Sequence, residues 1–239
     1  MNPSSSSEQN RPTHKPRPMI DLLVSIIIPT FILMKLSGED NLGPAGALIT
    51  ALAFPITWGV YELIKFRKFN FIALLGLISV VLTGGIGLLE LDTRWLAIKE
   101  AAIPGLIGLA VIISTVTPYP LVKTLIYNPK IMQVEKIEAK LKELGNETLF
   151  QARLLRATYL LSGTFFFSAG MNYFLAVWIV VSPAGTPEFN EQLGQMTLFS
   201  YLMIALPSTL MMAAILYYLS RTLNGLTGLT LSEVMHGER

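Results

Sequence analysis

Four side chains stand where an apolar chain has little reason to carry them. Lys99 and Glu100 lie near the start of the stretch WLAIKEAAIPGLIGLAVIISTVT, residues 95–117. Glu90 precedes that stretch, and Asn172 falls within another apolar run. From Ala97 the stretch gives 21 consecutive residues. At about 1.5 Å each, such a helix crosses a hydrocarbon core of about 30 Å. A charge inside a span costs about 2.5–3.5 kcal/mol on insertion scales, and Pro104 removes a backbone bond. A helix that tolerates all three is expected to pack against protein rather than lipid. Gathered in the outer half of a bundle, Lys99, Glu100, Glu90 and Asn172 could line a path for a solute or a proton. A second reading of the same residues is local. Lys99 lies one turn from Trp95, where a cation–π contact or snorkelling to the interface is easy. Lys99 and Glu100 are neighbours, so their side chains diverge by about 100° and pair poorly. A carboxamide such as Asn172 inside a span needs several partners or a water-filled cavity.

The elements that position these groups follow from composition. Of the 239 residues 52% are hydrophobic and only 14% charged, against about 25% charged in an ordinary soluble domain, and the mean hydropathy is +0.54. Several apolar runs of membrane length predict an all-α polytopic bundle with six transmembrane helices, at about 19–36, 44–64, 70–91, 97–117, 157–181 and 198–219. The expected organisation is a disordered tail over 1–18, a six-span membrane domain over 19–222 and a polar tail over 223–239. The membrane domain includes a basic loop over 118–156. The Ser-, Pro- and Arg-rich start has no apolar core, so it does not read as a cleaved signal peptide. Prolines interrupt the spans at Pro29, Pro55, Pro104 and Pro207. Three belong to Ala-x-Pro triplets at 53–55, 102–104 and 205–207, which would fit three helical hairpins, 1–2, 3–4 and 5–6; coincidence is the competing reading. Ser79, Thr83 and Gly87, and likewise Thr164, Ser168, Asn172 and Ala176, form stripes suited to close helix packing.

Charge sets the expected orientation. Of the 18 Lys and Arg residues, only Lys35, Arg94 and Lys99 fall outside the N-terminal tail, the second and fourth loops and the chain after the sixth span. The opposite loops carry Glu39, Asp40, Glu90, Asp92, Glu188 and Glu191 instead. The positive-inside rule then places both termini in the cytoplasm. Within the basic loop Val134, Ile137, Leu141 and Leu144 recur at helical spacing among charges, a short amphipathic helix. Gly145 and Asn146 suit its C-cap and the next N-cap. A second helix, ETLFQARLLRATY, should run straight into the fifth span. The amphipathic helix would pack on the bundle or lie on headgroups, or alternatively dock a partner.

The chain has no cysteine, which excludes thiol catalysis and cysteine metal sites. His14 and His236 lie in the polar tails. No P-loop, HExxH, GxSxG or GxGxxG is present, so no enzyme, metal or cofactor is expected. The loop YELIKFRKFN lacks the Gly-x-x-x-Asp-Arg-x-Gly signature of major-facilitator transporters. Basic residues that flank spans are explained by topology rather than by nucleic acid.

Trp95 with Lys99, Pro120-Leu121-Val122 with Leu125, Asn172-Tyr173 with Trp178, and Phe189-Asn190 carry a family likeness. Over about 65–220 the chain resembles the bacterial intracellular septation protein A family of inner-membrane proteins, in a longer six-span form. That resemblance implies a non-enzymatic inner-membrane protein in envelope maintenance or division. Its expected partners are the bilayer, other envelope or division proteins and a second copy of the chain. The alternative is a small solute or ion transporter that uses the polar groups of spans 3–5.

Overall fold

The computed structural model describes residues 19, 23–66, 71–117, 121–126 and 132–235. The tail expected over 1–18 and both histidines lie outside these residues. Among the described residues the regular elements are all helices, and Met132 with Met235 forms an isolated antiparallel bridge. Helix α1 joins a π turn, Leu23–Ile27, to Ile28–Lys35. Then come α2 (Gly43–Phe66), α3 (Phe71–Leu88), α4 (Arg94–Ser114), α5 (Leu121–Ile126), α6 (Val134–Glu143) and α7 (Glu147–Ile179). Helix α8 covers Pro187–Thr227 and contains a second π turn, Tyr201–Ala205. A single turn, α9, spans Leu231–Val234.

Among the described residues four helices are long and apolar enough to cross a membrane: Gly43–Tyr61, Arg94–Ser114, Glu147–Ile179 and Pro187–Thr227. Leu23–Lys35 and Leu75–Leu88 are apolar but shorter. They fall where the first and third of the six expected spans lie.

Each π turn ends two residues before a proline, Pro29 in α1 and Pro207 in α8. A proline lacks the N–H for the carbonyl four residues back and crowds it. Those carbonyls, of Ser25 and Met203, lie inside the two π turns, where a wider turn gives the ring room. Pro55 and Pro104 sit in helices that stay α throughout. Two of the three Ala-x-Pro triplets share a further bond: Thr57 Oγ1 donates to the Ala53 carbonyl at 2.6 Å, and Thr209 Oγ1 to that of Ala205 at 2.8 Å. The triplet at 102–104 is followed by Leu106 and has no such hydroxyl.

The chain divides into two compact units, Met1–Lys99 with Ala176–Leu198, and Glu100–Leu175 with Phe199–Arg239. In the first, α2 packs against both α1 and α3. Glycines set the α2–α3 approach: a Cβ at Gly84 would meet Leu52 Cδ1 at 2.8 Å, and one at Gly87 would overlap the Leu48 side chain. The start of α8 is part of this core. That helix begins at Pro187 rather than near residue 198, and Phe189, Leu193 and Met196 are buried. Asn190, also buried, donates through Nδ2 to the Pro44 carbonyl at 2.7 Å and to Ser37 Oγ at 3.1 Å.

In the second unit Val111, Val122, Ile137, Leu141, Phe150, Leu154, Leu223 and Val234 belong to one apolar cluster. Helix α6 forms over Val134–Glu143, with Ile137 0% and Leu141 3% exposed; the fourth apolar position, Leu144, is its C-cap and is exposed. Gly145 takes φ 67, the left-handed conformation that glycine adopts most cheaply after a helix. Asn146 precedes α7, and its Nδ2 donates to the Leu226 carbonyl, 2.9 Å away at the end of α8. The segment ETLFQARLLRATY is continuous with the membrane-length part of α7.

Candidate functional site

Lys99 sits in the second turn of α4 and is 8% exposed. Its Nζ donates to Thr83 Oγ1 at 2.8 Å and to Ser79 Oγ at 3.2 Å. Ser79 and Thr83 are one turn apart on α3, so both hydroxyls reach the same ammonium. The Thr83 hydroxyl proton goes to the Ser79 carbonyl at 3.0 Å, which leaves its oxygen lone pairs for Lys99. All three residues belong to the first unit. Five residues separate Lys99 from the start of α4, about 7 Å along the axis. The side chain is long enough to return to that end, yet it is engaged with α3. Trp95, one turn before it, is 58% exposed.

Glu90 follows α3 in a tight turn at φ 51. Its side chain lies against Gly185, where a Cβ would meet Glu90 Cγ at 2.7 Å. Gly185 itself has φ 85, so a glycine serves both the turn and the close approach. Asp92 accepts from the Arg94 backbone N–H at 2.8 Å and thereby caps the start of α4. Two acidic residues of this region therefore hold or support turns.

Glu100 and Asn172 fall in the second unit, both half-buried. Asn172 Nδ2 donates to the carbonyl of Ser168 on its own helix at 2.8 Å. Ser168 Oγ in turn shares a hydrogen bond of 3.0 Å with Ser208 Oγ of α8. Thr164 Oγ1 returns to the Leu160 carbonyl at 3.2 Å. These hydroxyls edge a groove of about 430 Å³ between α7 and α8, lined by Thr164, Phe165, Ser168, Ser208, Thr209, Met212, Ala213 and Leu216. The groove is open and mostly apolar, and its two serines are spent on each other.

The four residues singled out by chemistry thus divide between the units: Lys99 and Glu90 in one, Glu100 and Asn172 in the other. The partners that sequence reasoning did not assign to Lys99 are Ser79 and Thr83. Their signal was present as the i, i+4 stripe on α3, read there as a packing face. A donor-rich ammonium on two hydroxyls can bind and orient a polar solute. Among the described residues no group of three His, Asp or Glu is placed to hold a metal ion. No protein-family model, curated protein or solved structure matches the chain.

Proposed function

We propose that the chain is a six-span protein of a bacterial inner membrane, with both termini cytoplasmic, that handles a small solute or ion at the polar node around Lys99. The observation that carries this reading is the burial of Lys99 on Ser79 and Thr83 within apolar helices. An ionisable residue inside a membrane-spanning region is costly to keep and marks a functional path by default. A lysine serving only as an interface anchor would extend beside Trp95 instead. The test is flux in proteoliposomes, with chloride, phosphate and potassium each followed by an ion-selective electrode. Wild-type protein should raise the flux of at least one ion above that of empty liposomes. Lys99→Met should lower it by about tenfold or more, the loss expected when a desolvated charge contact worth about 1.4 kcal/mol or more disappears, and Lys99→Arg should keep part of it. Equal flux from wild type and Lys99→Met, with both folded, would sink the reading.

A second reading is envelope maintenance or division through protein and lipid contacts, with a second copy of the chain or other envelope proteins as partners. It is supported by the resemblance around Trp95, Lys99 and Asn172. It is also supported by α6, which is fixed to the second unit with Glu135, Lys136, Glu138 and Lys142 exposed. Septal enrichment of a fluorescent fusion in living cells would favour this reading over transport.

A further inference from the structure

The residues after α8 fold back and fasten α6. Gly228 ends α8 at φ 72, and its N–H bonds the Asn224 carbonyl at 2.8 Å. Thr230 then starts α9. Its backbone N–H and its hydroxyl both donate to Glu233 Oε2, at 2.7 and 2.6 Å. These bonds hold the Glu233 carboxyl below the usual carboxylate range. Val234 follows, 0% exposed, in the same apolar cluster as Ile137, Leu141 and Leu226. The Val234 carbonyl accepts from the N–H of Gln133, the N-cap residue of α6, at 2.7 Å. Lys136 Nζ, in the first turn of α6, donates to the Glu233 carbonyl at 3.2 Å. The opposite end of α6 is tied by Asn146 to the Leu226 carbonyl. Helix α6 is therefore held at its start by the chain that leaves α8 and beyond its end by α8 itself.

We infer that residues 229–235 form a releasable strap: seated, it keeps α6 on the second unit, and unseated, it frees α6 and its apolar stripe together. The asymmetry of the two ties supports this. The Asn146 tie meets the body of α8, a long helix. The other tie rests on a one-turn helix of four residues and its flanks, whose anchors among the described residues are the buried Val234, the partly buried Leu229, two bonds to α6 and the Met132–Met235 bridge. Segments with so few buried contacts open locally at far less cost than the whole fold. Opening would uncover Met132, Ile137 and Leu141, which are 5%, 0% and 3% exposed when the strap is seated.

The absence of cysteine makes the test direct. A single cysteine replacing Ile137 is placed in the full chain in nanodiscs, and its labelling rate with a charged maleimide is followed. A cysteine replacing the exposed Glu138 serves as the control. Val234→Asp buries a charge in place of the anchor, and Thr230→Asp sets a carboxylate beside Glu233 without touching the apolar cluster. Both should speed labelling at position 137 by about tenfold or more, the change expected when a local opening equilibrium shifts by one decade. Labelling at position 138 should not change. An unchanged rate at position 137 in Val234→Asp would overturn the strap. So would equal acceleration of a cysteine replacing Leu193 in the first unit, because that would report general loss of the fold.

Discussion

Asn190 and Lys99 meet the same demand in different ways. Each is a polar side chain taken out of water, and each is held by groups contributed from elsewhere in the first unit. Asn190 spends its amide on the Pro44 carbonyl at the start of α2 and on Ser37 just before it, so one side chain ties α8 to the α1–α2 turn. Asn190→Leu keeps similar bulk but strands a buried carbonyl, a loss of about 1–3 kcal/mol. Thermal unfolding in detergent should show a lower midpoint, and a midpoint equal to wild type would mean that water replaces the amide. The sequence shows that Asn190 and Lys99 are unusual but not what satisfies them. Lys99 and its hydroxyl partners lie 16 and 20 residues apart in the chain, and only the pairing of α3 with α4 joins them. Asn172 has a partner close in sequence: its Nδ2 donates to the Ser168 carbonyl of its own helix.

Whole elements were legible in proportion to their periodicity. Helix α6 forms over the first three positions of its 3, 4, 3 pattern, Val134, Ile137 and Leu141, because apolar positions at that spacing among charges leave one face to bury, and the fourth, Leu144, caps it exposed. The start of α8 was not legible. In PEFNEQLGQM the three apolar anchors, Phe189, Leu193 and Met196, are spaced 4 and 3 but stand among Glu188, Asn190, Glu191, Gln192 and Gln195. An average over such a window reads as a polar loop, although its helical stripe is well formed and buried. The glycines of α3 were visible as a small-residue face, and the structure shows what that face meets. Gly87 faces Leu48, which is itself 2% exposed, and Phe189 Cε1 would lie 3.3 Å from an added Cβ. Neither neighbour has open space to enter, so Gly87→Ala should cost about 1–3 kcal/mol by overpacking. Gly85, whose Cβ would meet nothing within 4 Å, is the matched control. The same unfolding midpoint for Gly85→Ala and Gly87→Ala would show that α2 and α3 are not in close contact there.

At the scale of the whole molecule, hydropathy and charge answer different questions. Hydropathy marks six apolar runs, and among the described residues four helices are long and apolar enough to cross a bilayer by themselves. The other two apolar stretches lie in α1 and α3. Helix α3, Phe71–Leu88, has 18 residues and covers about 27 Å, close to a hydrocarbon core of about 30 Å, and the described part of α1 is shorter. Whether they cross therefore decides the topology, and charge bears on it independently. With six crossings, the exposed Glu188 and Ser232 lie on opposite sides, and so do Asp40 and Glu138, in keeping with the clustering of Lys and Arg. If Leu75–Leu88 did not cross, the parity of every later loop would change relative to Asp40. Single cysteines at Asp40, Glu138, Glu188 and Ser232 therefore separate the arrangements in a chain that has no other thiol. In intact spheroplasts a membrane-impermeant maleimide should label Asp40→Cys and Glu188→Cys. Glu138→Cys and Ser232→Cys should react only after lysis. Labelling of Asp40→Cys and Glu138→Cys together from outside would require one crossing fewer or more between them. That result would place α6 and the strap outside the cytoplasm, whereas the expected pattern keeps both on the side where the basic residues gather.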